Sequence, residues 1–359
     1  MKIITPKFEI IEQQYNDKNL LTDMFKHIEI CGRTCYKSED KITEDSYKRF
    51  VSMLTNSNHG AMLEHGTVYL SINLGTPIDD LEYLSKTEII QFFKANKYSV
   101  VINKKLSKTV ISNIDGNDKE ITVTINMYYI TTNWRVLVEA DKTDNSVLKW
   151  MTPPTENHEK RYTVRFTYHL GVARDVNRHR VQSVGEESTR YCNYSKSKFG
   201  KELNIIEPVW FTDEDKYTIR HPEITFKDMC KKIAQGLDHN TLSQSEYWMF
   251  ANMACEYAYI MNTTAFGDNN WSAQKASLML PLDTKTESIH TAFASDWKHF
   301  CDLRALGLTG APRPSAKEVA WPLMEYFLEH KIITLDEKSS NKYFEIKKKY
   351  PNIIDYIKI

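Results

Sequence analysis

The sequence predicts a mixed α/β fold in which helices flank an antiparallel sheet, within a single domain spanning residues 1–359. Residues 67–74 and 162–170 alternate between apolar and polar side chains, and a period of two is typical of half-buried strands. In the second half of the chain, apolar residues recur instead at helical spacing. Between the two strands lies a β-rich segment, which we interpret as an insertion at about 75–160.

The first predicted helix follows Thr43, because threonine is a favoured residue at helix N-caps. Its apolar residues fall at positions i, i+3, i+4 and i+7 and so share one face: Tyr47, Phe50, Val51 and Leu54. The strand at 67–74 comes next along the chain.

Within the insertion, the sequence predicts short strands at 98–103, 108–113, 121–130 and 134–139. Asp115-Gly116 is a favoured turn pair for a β-hairpin. Pro153-Pro154 ends the segment. We therefore expect a β-rich hairpin extension.

Gly171 interrupts the strand at 162–170, and a helix is predicted through the 170s. Five more helices are predicted after it, at 226–237, 245–262, 272–280, 287–304 and 315–331. The Lys-rich tail at 337–359 has Tyr and Ile at helical spacing and is predicted to form a surface helix.

The composition argues against several protein classes. Lys+Arg and Asp+Glu are both 47, so the formal net charge is +0, which argues against a basic nucleic-acid-coating protein. No uncharged apolar run approaches a membrane span, and we expect a soluble cytoplasmic protein. The six cysteines show neither a zinc pattern nor a disulfide framework, so no metal is expected. No Walker A or G-x-G-x-x-G motif appears, which disfavours P-loop and Rossmann sites.

The segment that concentrates chemical groups is residues 174–191, with four Arg, one His, three acidic residues, two Ser and one Thr. If the helix of the 170s continues, Arg174 and Arg178 share a face, and the turn after it exposes Ser183 and Ser188. Guanidinium groups bind phosphate through paired hydrogen bonds, and Glu186 can accept an N–H of a base. The segment therefore predicts a site for an anionic ligand such as a nucleotide. The alternative is a salt-bridged surface helix.

The same segment carries a family resemblance. Arg178-His179-Arg180, followed after seven residues by Ser188, resembles the R-H-R-x7-S signature of the flavin-dependent thymidylate synthases. Four other blocks resemble that family in the same order, at residues 32–38, 59–65, 280–282 and 296–304, and residues 187–196 continue the signature. Five ordered blocks make the resemblance specific.

The resemblance implies the fold of that family and its reaction, the reductive methylation of dUMP to dTMP. It implies methylenetetrahydrofolate as carbon donor, FAD and NADPH as the hydride source, and a homotetramer with shared active sites, without membrane or nucleic-acid partners. None of the six cysteines follows a proline, as the nucleophile of classical thymidylate synthases usually does, and the flavin route needs no thiolate.

By matched position, the resemblance implies roles for particular residues. Arg304 is the implied catalytic residue, which favours ionisation of uracil N3 and so activates C5. The implied flavin-site residues are Arg178, His179, Arg180, Glu186, His59, Glu64 and His299. The implied dUMP-site residues are Asp175, Arg178, Glu186, Glu187, Ser188, Thr189, Arg190 and Arg304.

The chain also departs from the family pattern. Ser277 stands where the family has a phosphate-binding arginine, and Lys275 is a candidate replacement. The flavin-side Asn-x-Arg is replaced by Phe293-Ala294-Ser295, and a histidine by Arg313. These departures leave two alternatives open: a flavin- and folate-dependent pyrimidine nucleotide hydroxymethylase, and a non-catalytic nucleotide- or RNA-binding module.

Overall fold

Strands and helices alternate through the first half of the chain, and helices dominate the second. The computed structural model describes residues 1–57, 59–75, 80–114, 117–236 and 242–359. The strands are β1 (Lys2–Ile4), β2 (Lys7–Ile10), β3 (Thr67–Leu74), β4 (Val100–Ile114), β5 (Asn117–Asn133), β6 (Arg161–His169), β7 (Ser183–Glu186), β8 (Asn204–Ile206) and β9 (Lys285–Phe293). The helices are α1 (Leu20–Tyr36), α2 (Ser46–Asn56), α3 (Gly60–Leu63), α4 (Asp80–Ala95), α5 (Trp134–Glu139), α6 (Asn145–Leu148), α7 (Leu170–Val176), α8 (Asp213–Arg220), α9 (Phe226–Ala234), α10 (Gln244–Thr264), α11 (Ala273–Ala276), α12 (Ala294–Arg304), α13 (Pro314–Glu329), α14 (Glu337–Lys349) and α15 (Ile353–Lys358).

The main sheet has four strands in the order β2-β6-β9-β7, and every pairing in it is antiparallel. A second antiparallel sheet has the order β3-β5-β4, and β1 pairs with β8 in parallel. The predicted mixed α/β fold with an antiparallel sheet and flanking helices is therefore confirmed. Among the described residues, no helix is long and apolar enough to cross a membrane.

One core cluster joins the main sheet to the helices that follow it. Val164, Phe166 and Tyr168 of β6 are fully buried and belong to one cluster with Trp297 and Phe300 of α12. Each such side chain contributes about 1.5–3 kcal/mol by leaving water. The core therefore fixes β6 against α12. Helix α7 follows β6 directly and begins the cationic segment (residues 174–191), and Arg304 is the last residue of α12.

The insertion contains a long hairpin. β4 and β5 pair from Val100↔Thr131 to Ile114↔Asn117, so the strands predicted at 98–103 and 108–113 are one strand. Asp115-Gly116 lies outside the described residues. The strand predicted at 134–139 is wrong: Asn133 Oδ1 accepts from the Val136 N–H at 3.2 Å and caps helix α5 there.

The helix predicted at 287–304 is also wrong in its first half, which is strand β9. β9 lies between β6 and β7, so both of its edges are hydrogen-bonded and most of its side chains are buried. Its inward polar residues bond one another, as Ser288 Oγ and His290 Nε2 do at 2.9 Å. Because many of its buried residues are polar, β9 lacks the apolar alternation that would have predicted a strand.

The start of α2 and the form of the C-terminal tail also differ from the prediction. α2 begins at Ser46 with Asp45 as its N-cap, because the Thr43 N–H donates to Ser46 Oγ at 2.9 Å and the chain is still turning there. The tail forms two helices rather than one surface helix, and Tyr356 and Ile357 of α15 are buried in the main core.

Candidate active site

The cationic segment leaves the helix before its central residues. α7 ends at Val176, and β7 must begin at Ser183 to pair with β9, so residues 177–182 form a connecting turn. Arg178 and Arg180 are exposed in this turn, whereas His179 is only 7% exposed. The prediction that Arg174 and Arg178 share a helix face is therefore wrong. Ser183, expected to be exposed, is 4% exposed in β7.

The guanidinium groups of this segment are not used in salt bridges. Over the described ranges, the side chains of Arg174, Arg178 and Arg180 have neither an ion pair nor a hydrogen-bond partner. Arg190 lies over the ring of Tyr191, 5.7 Å from its centroid. The alternative of a salt-bridged surface helix is contradicted, since these cations remain available to a ligand.

One cavity gathers three groups that bear on nucleotide binding. We call it the Glu186 cavity; its volume is about 310 Å³, and its polar lining is Arg174, Asn177, Glu186, Thr189 and Ser277. Leucine side chains of residues 170, 280 and 282 form the apolar wall. A cation, a carboxylate and a hydroxyl over an apolar surface suit a small polar ligand with a flat ring.

Glu186 is held in place by neighbours on two elements. Asn177 Nδ2 donates to its Oε2 at 2.9 Å, and Thr286 Oγ1 donates to its Oε1 at 3.1 Å. Burial raises the pKa of Glu186 above that of a free glutamic acid. The carboxyl group is therefore a fixed hydrogen-bonding group beside the cavity.

Arg304, at the end of α12, contacts the cationic turn. Its Nε donates to His179 Nε2 at 3.0 Å, and its Nη2 donates to the Asp175 carbonyl oxygen at 2.7 Å. Burial, with help from Arg304 and His299, lowers the pKa of His179 to about 4, so the ring is neutral and accepts this bond. Nη1 of Arg304 has no partner in the part of the chain that the structure describes.

A second cavity is lined by the later residues of the turn, Arg180 and Val181. We call it the Arg180 cavity; its volume is about 410 Å³, and Arg180, Arg161, Phe293 and Ser295 line it. Arg161 Nη2 donates to Ser183 Oγ at 2.9 Å, which explains why Ser183 is buried.

The remaining predicted residues lie outside both cavities. Glu187 is buried and accepts from Lys285 Nζ at 2.8 Å and from the Tyr194 hydroxyl at 3.1 Å. The Ser188 N–H donates to the Cys35 carbonyl oxygen at 3.2 Å.

Three predicted residues come from other blocks of the sequence. His59 is exposed and hydrogen-bonds the Tyr36 hydroxyl at 3.0 Å, and Glu64 forms an ion pair with Arg135. His299 is exposed, with its ring centroid 6.1 Å from that of His179. The structure thus brings together Asp175, His179 and Arg304, and it leaves His59 outside the cavities. All these roles stay predictions.

A family model described as thymidylate synthase complementing protein matches residues 109–331, well over half of the chain. The chain belongs to this family, the flavin-dependent thymidylate synthases. Membership makes it a flavin-using enzyme of the methyltransferase type. The match includes every predicted site residue from Asp175 to Arg304, whereas His59 and Glu64 precede it.

Solved structures similar to this flavin-dependent thymidylate synthase family member are remote in sequence. One is the UMP/dUMP methylase PolB from Streptomyces cacaoi bound with 5-Br dUMP, with 13% identity, 92% of this chain and 93% of that chain covered, and a TM-score of 0.34. Another is thymidylate synthase X from Helicobacter pylori with FAD and dUMP, with 13% identity, 46% and 66% covered, and a TM-score of 0.30. No curated protein matches the chain.

Sequence reasoning about this family member missed the residues that support the site. Asn177 lies inside the cationic segment, but its role depends on the turn that brings it to Glu186. Thr286 lies immediately before the segment predicted as helix at 287–304, and the polar alternation of β9 was the missed signal. Arg161 gave no signal of its own, since an arginine at a strand end is ordinarily solvated.

Proposed function

We propose that this protein converts dUMP to dTMP, with methylenetetrahydrofolate as carbon donor and with NADPH and FAD as the hydride source. The observation that carries the proposal is the Glu186 cavity of about 310 Å³, where Arg174 and Glu186 border one space in a chain of the flavin-dependent thymidylate synthase family. The nucleotide dUMP has two chemical ends that complement these side chains: a phosphate for the arginine, and a base with an N–H group for the carboxyl group.

For the phosphate, Arg174 is a better candidate than the residues at 275 and 277. The Ser277 hydroxyl donates to the Gln274 carbonyl oxygen at 2.8 Å, so its proton is not available to a phosphate. Lys275 is exposed and does not line the cavity. Arg174 lines it with a guanidinium group that has no partner among the described residues, and Thr189 adds a hydroxyl. We therefore assign the phosphate to Arg174 and Thr189, and the base to Glu186.

Arg304 is the proposed catalytic residue; it does not line the Glu186 cavity itself but bonds Asp175, the neighbour in sequence of Arg174, which does. Its guanidinium group is oriented by His179 and by the Asp175 carbonyl oxygen, which leaves Nη1 for a ligand oxygen. A fixed positive charge at the uracil ring stabilises the anion formed when N3 loses its proton, and this raises electron density at C5. Preorganised charge of this kind needs no further reorganisation during the reaction.

Thiol chemistry does not fit the site. Burial raises the pKa of Cys192 to about 12, and Cys192 is 1% exposed. Among the described residues, no cysteine lines the Glu186 cavity. A route that activates uracil with a guanidinium group is consistent with this arrangement.

The residues around the Arg180 cavity fit a flavin dinucleotide. Arg180 offers a guanidinium group without a partner in the described part of the chain, and Phe293, whose ring centroid lies 5.6 Å from the Arg161 guanidinium, offers an aromatic ring. A cavity of about 410 Å³ encloses part of a dinucleotide, so we propose that neighbouring subunits of a homotetramer supply the other walls. When bound, the flavin would supply the hydride that reduces the transferred one-carbon unit. The tetramer, the cytoplasmic location and the roles of His59, Glu64 and His299 stay predictions.

A second candidate is a hydroxymethylase, favoured by Phe293 and Ser295 lining the flavin-side cavity where the family has asparagine and arginine. The test is the mass of the nucleotide formed from dUMP with methylenetetrahydrofolate, FAD and NADPH. We expect the mass of dTMP. The mass of hydroxymethyl-dUMP would replace the first function by the second. Unchanged dUMP and tight RNA binding would favour a binding module and refute both enzymatic functions.

A further inference from the structure

Glu187 is a charged residue of the segment 174–191 whose carboxylate is used inside the protein. Its side chain is buried, with the residue 3% exposed, and it is absent from the described lining of the Glu186 cavity. Its Oε2 accepts from Lys285 Nζ at 2.8 Å, and its Oε1 accepts from the Tyr194 hydroxyl at 3.1 Å. Both carboxylate oxygens are therefore engaged by residues of this chain.

The bond between Glu187 and Tyr194 spans a turn. We call residues 188–192 the Ser188 turn, because the Cys192 N–H donates to the Ser188 carbonyl oxygen at 2.9 Å. Glu187 precedes this turn and Tyr194 follows it, so their hydrogen bond joins its two ends. Thr189 lies in the turn and lines the Glu186 cavity. The position of Thr189 at the cavity therefore depends on the geometry of this turn.

Lys285 connects this arrangement to the main sheet. It is the first residue of β9 and is buried, and its Nζ also donates to Glu287 Oε1 at 3.0 Å. Glu287 in turn forms an ion pair with Lys37, the C-cap residue of α1. Burial alone would raise the pKa of Glu287, but Lys285 and Lys37 lower it to about 2, so the carboxylate is charged at neutral pH. Two lysines and two glutamates thus alternate in one ionic network: Lys37, Glu287, Lys285 and Glu187.

Main-chain hydrogen bonds connect the same elements. The Glu187 N–H donates to the Glu287 carbonyl oxygen at 2.7 Å, and the Ser188 N–H donates to the Cys35 carbonyl oxygen at 3.2 Å. The start of the Ser188 turn is therefore bonded both to β9 and to the last turn of α1. The ionic network joins these elements a second time, through side chains.

A buried ionic network of this kind acts mainly on geometry. The cost of removing charges from water offsets much of their attraction, so the net gain in stability is small. A single charge left without its partner is costly, however, and each group is therefore held where its partner lies.

We propose that Glu187, Lys285 and Tyr194 are positioning residues, which hold the Ser188 turn so that Thr189 reaches the ligand of the Glu186 cavity. Glu187 then acts on the ligand through the turn, and not by the direct contact that the family resemblance implies. That the ligand is dUMP rests on the proposed function. The contacts that close the turn do not depend on it.

The test measures dUMP affinity by titration calorimetry and hydrogen exchange of residues 188–192 by mass spectrometry, both on the full-length protein. K285M leaves the buried Glu187 carboxylate without its cation, so dUMP should bind roughly tenfold more weakly and the turn should exchange faster. K317M is the matched control, because Lys317 is also buried, bonds the Tyr356 carbonyl oxygen and lines neither cavity. It should lose stability but keep the dUMP affinity of the wild type.

The double variant E187Q/K285M separates positioning from direct contact. Glutamine needs no cation and can still bond the Tyr194 hydroxyl, so this variant should recover slow exchange and most of the dUMP affinity. Y194F removes a single neutral donor and should weaken dUMP binding several-fold. If K285M does not fold in a thermal melt, Y194F decides alone.

Equal dUMP affinities in K285M, Y194F and K317M would overturn the proposal. A double variant that binds dUMP no better than K285M would also overturn it, since the Glu187 charge would then be the contact itself. Faster exchange in K285M that the double variant reverses, in a protein that binds no dUMP, would retain the positioning of the turn and reject the proposed function. Formation of dTMP, with wild-type dUMP affinity in K285M, would do the reverse.

Discussion

Arg304 and His179 are joined by a hydrogen bond of 3.0 Å in which Arg304 Nε donates to His179 Nε2. The bond links the end of α12 to the turn after α7, so it connects two blocks more than a hundred residues apart in sequence. Because the bond needs an unprotonated Nε2, the low pKa of His179, about 4, keeps it intact at neutral pH. His179 therefore acts as a positioning residue for the proposed catalytic arginine.

Replacing His179 by alanine should lower kcat more than it changes KM for dUMP. A hydrogen bond to a charged group contributes about 1.5–3 kcal/mol, so the expected loss in kcat is roughly 10- to 100-fold. Steady-state kinetics check this, with H330A as control because His330 is exposed and lines neither the Glu186 cavity nor the Arg180 cavity. The H179Q variant, which retains an acceptor, should recover part of the rate. An H179A enzyme with wild-type kcat would contradict the positioning role.

Replacing Arg174 by alanine should weaken dUMP binding roughly tenfold or more, because the proposed phosphate contact is charge-assisted. Binding of deoxyuridine, which has no phosphate, should change little. The R174A/S277R double variant should recover part of the affinity, since residue 277 lines the same cavity. K275A is the matched control, and titration calorimetry is the measurement. If K275A weakens dUMP binding and R174A does not, Lys275 is the phosphate ligand instead.

Stability should fall as the pH is lowered from about 6.5 to 5, because folding keeps several histidines neutral. Burial lowers the pKa of His27 to about 4 and that of His290 to about 3. An unfolded chain binds protons at these positions below about pH 6.5, whereas the folded chain does not, so each histidine makes the free energy of unfolding fall by about 1.4 kcal/mol per pH unit. Urea unfolding at pH 7.5, 6 and 5 measures this slope.

The H290Q variant removes one of the histidines that bind a proton only in the unfolded chain. It should be less stable at pH 7.5, because His290 hydrogen-bonds Ser288 and Gln182 in the core at 2.9 Å each. Its slope between pH 6 and 5 should be shallower by one proton, while the exposed control H330Q should keep the wild-type slope. A slope unaffected by H290Q would show that the folded and unfolded chains bind protons alike at His290, which would contradict a pKa lowered by folding.

The parts of the fold that could be predicted are those in which burial and hydrophobicity coincide. Thr67–Leu74 is a strand with the predicted limits, and Phe166 and Tyr168 face the core as their alternation indicates. β9 could not be predicted, because Thr286, Ser288 and His290 are buried by hydrogen bonding rather than by apolar character.

Some residues of the candidate site could likewise be predicted from the sequence, and others could not. Arg174, His179 and Glu186 are close in sequence, so a local concentration of charge was enough to single out their segment. Lys97 and Arg161 reach the Arg180 cavity only because the hairpin and the main sheet place them there. No local pattern in the sequence carries that information.

The central claim is that this protein binds a flavin and dUMP next to each other. The most direct test is the visible absorption spectrum of the purified protein after reconstitution with FAD and gel filtration, recorded before and after addition of dUMP. We predict a retained flavin band that changes saturably with dUMP in the wild-type protein, and a much weaker response in R174A at the same dUMP concentration. Protein that emerges colourless, or a flavin band that dUMP leaves unchanged at saturating concentration, would contradict the account.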